Sequence, residues 1–478
     1  MREPACGNIA VRMYRGILGD CFLLRHDEAG QPRHILIDCG VLQGVEGARD
    51  RMKTIVDDIQ AVTGGDLDLV VLTHEHHDHL SGFSYEKERF FGDAFDIHEL
   101  WLAWTEDPND PQAAALRQRF TRTKAALTKV VQLDALAMGD PRIGTVQALS
   151  AFIEPLPVDG PRKTTVDLLR EKAGGRTTRF LEPGDVLRPE RLPTLKAMVM
   201  GPPRSEQRLR KDAPSKGAGK EVYLTDLEEA FAVEDRARRE LGEEPLIAEL
   251  PFARPYQRPI DEARHSWTEL AYEGVEQLYF AEPNVWRRIE GEWLDGAESM
   301  ALKMDSDTNN TSLVLAFELP DRQVLLFPGD AQVGNWLSWA DQTYPREASK
   351  EHPLPATRDD ILSRVTLYKV GHHCSHNATL REFGLEKMTC PRLVAMIPVV
   401  ESVARQNDWK MPFPDLLDAL LQRTSGRVVT GDGDPEQERA VFADNPSDER
   451  YPATLAHAED GLWVELTIPY EKCRKGAG

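Results

Sequence analysis

The sequence predicts an α/β protein that carries polar ligand residues at the ends of its strands. Short runs rich in Val, Ile and Leu alternate with longer segments in which apolar residues recur at helical spacing. Clusters of His and Asp follow directly after three of the apolar runs. Hydrophobic residues make up 41% of the 478-residue chain and charged residues 29%, so the chain can bury a sizeable core.

Local signals define the predicted elements in chain order. Apolar runs bounded by turn residues predict strands at 9–14, 21–26, 34–38, 67–72, 313–317, 323–327, 364–370 and 462–469, with further short strands within 180–201. Helical spacing predicts helices at 48–63, 112–134, 226–244 and 414–423. Gly64 and Gly65 mark the end of the first helix. A turn at Pro320 and Asp321 predicts that the strands on either side of it form a hairpin.

Charge and hydropathy exclude several classes of protein. The chain has 58 Lys and Arg against 79 Asp and Glu, a net charge of −21, which argues against a surface that binds nucleic acid as a whole. A local basic patch remains compatible with this balance. The sequence has no run of 18 apolar residues and no apolar signal core at its N-terminus, so we expect a cytoplasmic protein without a membrane partner.

The segment 73–79 reads Thr-His-Glu-His-His-Asp-His and contains the spacing H-x-H-x-D-H directly after an apolar run. Imidazole and carboxylate are the usual ligands of Zn²⁺, Mn²⁺ and Fe. We expect His74 and His76 to bind one metal, and Asp78 and His79 the other. The alternative is a solvated histidine-rich turn, but a second histidine cluster elsewhere in the chain weighs against it.

Two later strands are predicted to end in ligand residues as well. Asp330 follows a strand through Pro-Gly-Asp, and we expect it to bridge two metals, although a carboxylate in a turn can also be ordinary. His372 and His373 follow the strand at 364–370. We predict His372 as the ligand. Two roles remain open for His373. One is catalytic, together with Asp78, and His373 would then position the substrate or protonate a leaving group. The other is structural packing.

The motifs resemble those of the metallo-β-lactamase fold superfamily, and more narrowly the soluble nuclease-like domain of the ComEC/Rec2 DNA-uptake proteins. The resemblance covers most of residues 8–205 and 300–470. It rests on these segments, which occur in the family's order: 16–24, Ile37-Asp38-Cys39-Gly40, the histidine motif, Asn309-Asn310-Thr311-Ser312, Pro328-Gly329-Asp330 and Gly371-His372-His373-Cys374-Ser375.

This resemblance implies a four-layer αβ/βα sandwich with a helical insertion. The implied division is an N-terminal half at 1–104, a helical insertion at 105–175, core strands at 176–204, a second insertion at 205–300 and a C-terminal half at 301–478. Two divalent ions, Zn²⁺ or Mn²⁺, would lower the pKa of a bridging water and present hydroxide to an electrophile. The narrower resemblance favours a phosphodiesterase or nuclease that acts on DNA or RNA.

Two other functions stay open at this stage. One is hydrolysis of a small ester, lactone or thioester. The other is a partner-regulated subunit of a larger assembly, such as a defence system, with protein partners bound through the insertions.

The chain departs from the wider superfamily at one ligand position. Thr308-Asn309-Asn310 stands where most members have a histidine, so either asparagine could supply an amide oxygen. Further residues could act as ligands or support ligands, and these are Asp38, Cys374 and His376. Four basic residues either bind phosphates or belong to a solvated loop, namely Arg204, Arg208, Arg210 and Lys211.

Overall fold

The structure is a computed structural model, and it describes residues 6–132, 141–153, 163–174, 177–211, 237–238, 292–345, 355–407 and 409–471. The helix predicted at 226–244 lies outside these ranges except for two residues. The chain divides into two compact units. The first comprises residues 1–115, 151–217 and 305–478 and contains every sheet found in the described residues, and the second comprises residues 116–150 and 218–304.

The strands lie close to the predicted apolar runs. In chain order they are β1 Cys6–Tyr14, β2 Cys21–Glu28, β3 Gln31–Cys39, β4 Asp66–Leu67, β5 Leu69–Val71, β6 Asp96–Ile97, β7 Leu100–Ala103, β8 Thr178–Leu181, β9 Val186–Leu187, β10 Lys196–Gly201, β11 Val314–Glu318, β12 Val324–Phe327, β13 Thr343–Tyr344, β14 Ala356–Thr357, β15 Val365–Lys369, β16 Val394–Ile397, β17 Val428–Thr430, β18 Thr454–His457 and β19 Trp463–Glu471.

The α-helices of the described residues fall between these strands and in the second unit. They are α1 Ala48–Thr63, α2 His77–Tyr85, α3 Lys87–Phe90, α4 Pro111–Gln132, α5 Pro141–Ser150, α6 Thr165–Ala173, α7 Glu206–Leu209, α8 Glu292–Asn310, α9 Val333–Ser338, α10 Arg358–Ser363, α11 Glu401–Gln406, α12 Pro414–Arg423 and α13 Pro435–Asp444. None of the helices in the described ranges combines the length and the apolar character needed to cross a bilayer.

Two large mixed sheets form the centre of the first unit. The first sheet has the order β18-β19-β1-β2-β3-β5-β7-β8, and the second has the order β17-β16-β15-β12-β11-β10-β9. In each sheet one half is antiparallel and the other half is parallel. The hairpin predicted around Pro320 is confirmed, because β11 and β12 pair antiparallel.

The two sheets face each other across a common apolar core, and helices cover their outer faces. Phe22 of the first sheet meets Phe327 of the second with ring centroids 5.7 Å apart. On the outer face of the first sheet, α1 buries Met52, Ile55 and Ile59, which recur at helical spacing. Trp336 of α9 packs against the outer face of the second sheet. This is the predicted α/β sandwich of four layers.

Candidate metal centre

The candidate site lies where strands of both sheets end. The chain leaves β5 of the first sheet at Val71 and enters the histidine motif, which begins α2 at His77. In the second sheet, the neighbouring parallel strands β12 and β15 lead to Asp330 and to the turn at residues 371–374. Parallel strands present their carboxyl ends at one edge, which brings the last two segments together. The first segment meets them through the contact of Asp78 with His373.

Close backbone contacts fix the shape of these segments. Gly40 follows β3, and a Cβ atom at that position would lie 2.3 Å from the carbonyl carbon of Asp78. Gly329 has a φ of +56°, and a Cβ there would lie 2.9 Å from Cβ of Thr73. Glycine is therefore required at both positions by space, and at the second also by its left-handed backbone. The Asp-x-Gly and Gly-Asp motifs of the sequence thus shape the backbone around the ligands.

Four side chains form a first group, the aspartate–histidine group, made up of Asp78, His79, Asp330 and His373. Asp78 Oδ2 lies 2.8 Å from His373 Nε2 and 3.7 Å from His79 Nε2. Asp330 Oδ2 lies 3.3 Å from His79 Nε2 and 3.6 Å from His373 Nε2. All four residues are buried. His79, Asp330 and His373, together with Asp20, offer ligand atoms that all lie within 4.8 Å of one another, and Asp78 borders this cluster through His373.

His74 and His76 form a second group, the histidine pair, with ring centroids 4.8 Å apart. Both residues are buried, and the Nε2 atom of each has no hydrogen-bond partner. Two residues of α8 line the same region. Asp305 Oδ1 lies 3.9 Å from His76 Nε2, and Asn309 Nδ2 donates to Asp305 Oδ2 at 3.2 Å.

One carboxylate orients an imidazole in each group. Asp38 accepts from the Thr73 amide and hydroxyl, both at 2.7 Å, and its Oδ2 lies 2.8 Å from His79 Nδ1. The Thr73 hydroxyl, which donates to Asp38, lies 3.1 Å from His74 Nδ1 and can accept from it. Nε2 of His74 and Nε2 of His79 are left without partners. Such support of the far ring nitrogen is typical of metal-bound histidine.

Burial and neighbouring charge give the histidines opposite protonation tendencies. Burial holds the pKa of His74 well below its ordinary value and lowers the pKa values of His76 and His372 to about 4. Burial also opposes charge on His79 and His373, but nearby carboxylates, chiefly that of Asp330, raise both pKa values above the usual value. The first three are therefore neutral imidazoles, which is the form that binds metals.

The site carries an excess of negative charge. It holds five carboxylates and one ammonium group, those of Asp20, Asp38, Asp78, Asp305, Asp330 and Lys369. Lys369 is 1% exposed, contacts Asp20 and lies 3.2 Å from Asp330 Oδ1. Burial, together with the charges of Asp78 and Asp330, raises the pKa of Asp305 to about 8. With all five carboxylates ionised and every imidazole neutral, which is the state that binds metals, the formal charge is −4, and this is unfavourable in a buried cluster without cations.

The two adjacent histidines of the third segment point to different groups. His373 belongs to the aspartate–histidine group, and its Nδ1 donates to the Pro398 carbonyl at 2.8 Å. The ring of His372 turns towards α8, with Nε2 3.4 Å from Asn309 Nδ2 and Nδ1 2.7 Å from Ser375 Oγ. Residues 372–374 all have positive φ, between 44° and 63°, and this left-handed run sets the two directions.

Three other residues singled out in the sequence lie away from both groups. Asn310 holds α9, since its Oδ1 accepts from the Asn335 amide at 3.1 Å. Cys374 packs into the apolar cluster of the second sheet, where burial raises its thiol pKa to about 12. His376 is exposed and contacts the edge of Phe413.

The basic residues of the loop form ion pairs within the first unit. Arg204 pairs with Asp110 and Glu182, each at 2.6 Å, and its guanidinium lies over the Trp104 ring. The other two arginines make looser pairs, Arg208 with Asp341 at 3.7 Å and Arg210 with Glu206 at 3.6 Å. Lys211 accepts at its carbonyl from the Gly334 amide at 2.8 Å.

Three charged residues of the site were not assigned a role from the sequence. Asp20 offers a carboxylate oxygen within 4.8 Å of the ligand atoms of His79, Asp330 and His373. In the sequence, only its position after Gly19 in the segment 16–24 pointed to Asp20. Lys369 immediately precedes the third ligand segment, and Asp305 stands one helical turn before Asn309.

Fold and site together define a class of α/β sandwich proteins with a candidate centre for divalent metals. The family model described as the metallo-beta-lactamase superfamily matches residues 15–185, so this part of the chain is similar to that superfamily. The superfamily implies a metal-dependent hydrolase. No curated protein matches the chain. A solved structure, a beta-lactamase domain protein from Burkholderia ambifaria, is 19% identical over 40% of this chain and 46% of that one, with a TM-score of 0.21.

Proposed function

We propose that the chain hydrolyses its substrate with two divalent cations, Zn²⁺ or Mn²⁺, one at the aspartate–histidine group and one at the histidine pair, with Asp330 between them. The observation that carries this proposal is the set of buried ligand atoms without partners, which includes Nε2 of His74, His76 and His79. An unpaired buried polar atom costs about 1–3 kcal/mol, and a bound cation removes that cost. Two divalent cations would also neutralise the four excess negative charges.

In this proposal the two adjacent histidines exchange the roles that the sequence predicts. We assign the ligand role to His373, because its Nδ1 donates to a carbonyl and its Nε2 faces two carboxylates. His372, which is neutral because burial lowers its pKa to about 4, then positions the substrate. Its Nε2 lies on the side of Asn309, away from the aspartates that hold His373.

When bound, the cations would supply an activated water and Lewis acidity towards the oxygen that gains negative charge. The chain's own residues hold this arrangement in place. Asp38 and Thr73 fix the rings of His74 and His79, so that each presents Nε2. Lys369 holds Asp330 through Oδ1 and leaves Oδ2 towards the two imidazoles.

We favour a phosphodiester as the substrate, in DNA, in RNA or in a nucleotide. The order of the motifs supports this choice, since it resembles the nuclease-like group. Arg208 supports it too, because its side chain is 32% exposed and its carboxylate partner lies 3.7 Å away. Such a surface pair is weak, so this arginine could turn to a phosphate at little cost.

A small ester, lactone or thioester is the second candidate. The firm pairing of Arg204 with two carboxylates favours it, because a guanidinium held in this way is not available to a polynucleotide backbone. The burial of the ligand groups also suits a compact substrate.

The test is to measure the metal content of the purified chain and its hydrolysis of DNA, RNA, a chromogenic phosphodiester and a chromogenic ester, with and without added Mn²⁺ or Zn²⁺. We expect up to two metals per chain and metal-dependent cleavage of the phosphodiesters. Asp57→Asn serves as the control variant, since Asp57 is 59% exposed in a pair with Arg89. Cleavage of the ester alone would select the second candidate, and cleavage only with a partner protein present would select the regulated subunit. Absence of metal after reconstitution would overturn the proposal.

A further inference from the structure

The histidine pair supplies two protein ligands, and a third is needed for a firmly held metal. Structural and catalytic sites of this chemistry use three or four protein ligands. At the position where the wider superfamily has a histidine, the chain has Thr308-Asn309-Asn310. Asn310 is engaged with α9, through Asn335. Asn309 and its neighbour Asp305 remain as residues of α8 near the histidine pair.

Asp305 lies where such a ligand is required. It precedes Asn309 by four residues on α8, so both side chains project from the same face of the helix. Its Oδ1 lies 3.9 Å from His76 Nε2. A tetrahedral metal brings two ligand atoms to about 3.3 Å, so a shift of about half an ångström would let both atoms bind the same ion. The hydrogen bond from Asn309 to Oδ2 fixes the carboxylate and leaves Oδ1 towards the histidine.

A second observation indicates a ligand at this place. Asn309 is fully buried, and its Oδ1 has no hydrogen-bond partner. Nε2 of His76 is likewise buried and without a partner. Asp305 thus contacts two residues that each keep a buried polar atom without a partner, which a cation at this place would satisfy.

We propose that Asp305 is the third protein ligand of the metal at the histidine pair, and that Asn309 positions its carboxylate. This inference rests on the proposed function for the presence of a metal. An anionic oxygen in place of a third imidazole makes the position better suited to a harder ion. The metal at the histidine pair therefore favours Mn²⁺ more than a three-histidine position would.

The experiment measures Mn²⁺ and Zn²⁺ binding to the full chain by titration calorimetry and elemental analysis. The variants are Asp305→Asn, which keeps the shape and removes the charge, and Asp305→His, which introduces an imidazole. Asp57→Asn is the control with the same change in net charge at an exposed site. Circular dichroism and thermal unfolding of the metal-free variants check the fold.

We expect Asp305→Asn to keep one metal and to weaken the other by at least about tenfold, the lower end of losses seen when metal-site partners are removed. Asp57→Asn should bind as the unaltered chain does. Asp305→His should restore the second equivalent with Zn²⁺ in preference to Mn²⁺. Two metals bound to Asp305→Asn with unaltered affinity would overturn this inference alone, whereas an unaltered chain that binds no metal would overturn the proposed function. If Asp305→Asn does not fold, Asp305→His decides by the same titration, and its unaltered preference for Mn²⁺ would overturn the inference.

Discussion

Asp38 offers the most direct test of how the site is held together. Replacing it by Asn keeps an oxygen for the Thr73 amide but places an NH₂ group where the Thr73 hydroxyl or His79 Nδ1 needs an acceptor. Asn also tolerates the left-handed backbone found here, with φ at +54°, so the change isolates the loss of the acceptor and of its charge.

The magnitude follows from these three hydrogen bonds. Losing a hydrogen bond to a charged group costs about 1.5–3 kcal/mol, so we expect Asp38→Asn to lower the free energy of unfolding by about that amount. Asp38→Ala leaves three buried donors unpaired at about 1–3 kcal/mol each, and adds about 1 kcal/mol for a left-handed alanine. The total approaches the whole stability of many domains, so Asn is the variant to use.

Metal affinity is the decisive measurement, because Asp38 supports one imidazole of each ligand group. We expect Asp38→Asn to weaken both metals by about 10–100-fold in calorimetric titrations. Asp58→Asn is the matched control, since Asp58 accepts from Tyr14 and Arg12 at 2.7 and 2.6 Å, apart from both ligand groups. It should lose stability in urea unfolding but keep the metals. Affinities within about twofold of the unaltered chain for Asp38→Asn would refute the reasoning.

Three further predictions concern individual charges. Asp78→Asn should lower metal-dependent hydrolysis by at least about a hundredfold with little loss of stability, because it removes a ligand charge and keeps the side-chain shape. Lys369→Met should destabilise the metal-free chain by about 3–5 kcal/mol in urea unfolding, because it leaves two buried aspartates without their cation. For a single-stranded substrate, Arg208→Glu combined with Arg210→Glu should reduce the slope of log affinity against log salt by about 0.7 for each phosphate that is no longer neutralised.

Each of these predictions has a result that contradicts it. Hydrolysis by Asp78→Asn at the unaltered rate would remove the aspartate–histidine group from the mechanism. Unchanged stability of Lys369→Met would mean that its ammonium group does not balance the carboxylates, whereas partial recovery on adding Mn²⁺ would support the charge argument. An unchanged salt slope in the arginine double variant would identify the loop as merely solvated.

Local sequence patterns predict many of the helices and strands of this protein well. The helix at 414–423 has its predicted bounds, because Pro414 suits a first helical position and the apolar spacing continues to its end. The helix at 48–63 also ends where predicted, at Gly64 with φ at +66°. The strand at 34–38 extends to Gln31–Cys39, since pairing with β2 continues past the apolar run.

The site is harder to predict from the sequence than the helices and strands are, because its contacts join residues that lie far apart in the chain. Asp305 depends on a helix that enters the site from a segment without a recognisable motif. The role of Lys369 depends on its ion pair with Asp20, and the two residues are far apart in the sequence. The directions of His372 and His373 depend on left-handed φ values at residues 372–374, and no residue pattern announces such values in a stretch without glycine.

The contact between Asp78 and His373 joins residues that are 295 positions apart. Asp78 follows a strand of the first sheet, and His373 follows a strand of the second. A cation held there would act as a reversible cross-link between the two sheets of the folded chain. Because such a cation binds the folded form, the stability of the chain would rise with the free metal concentration. Chelation would then lower the free energy of unfolding by the amount that the bound metal had contributed.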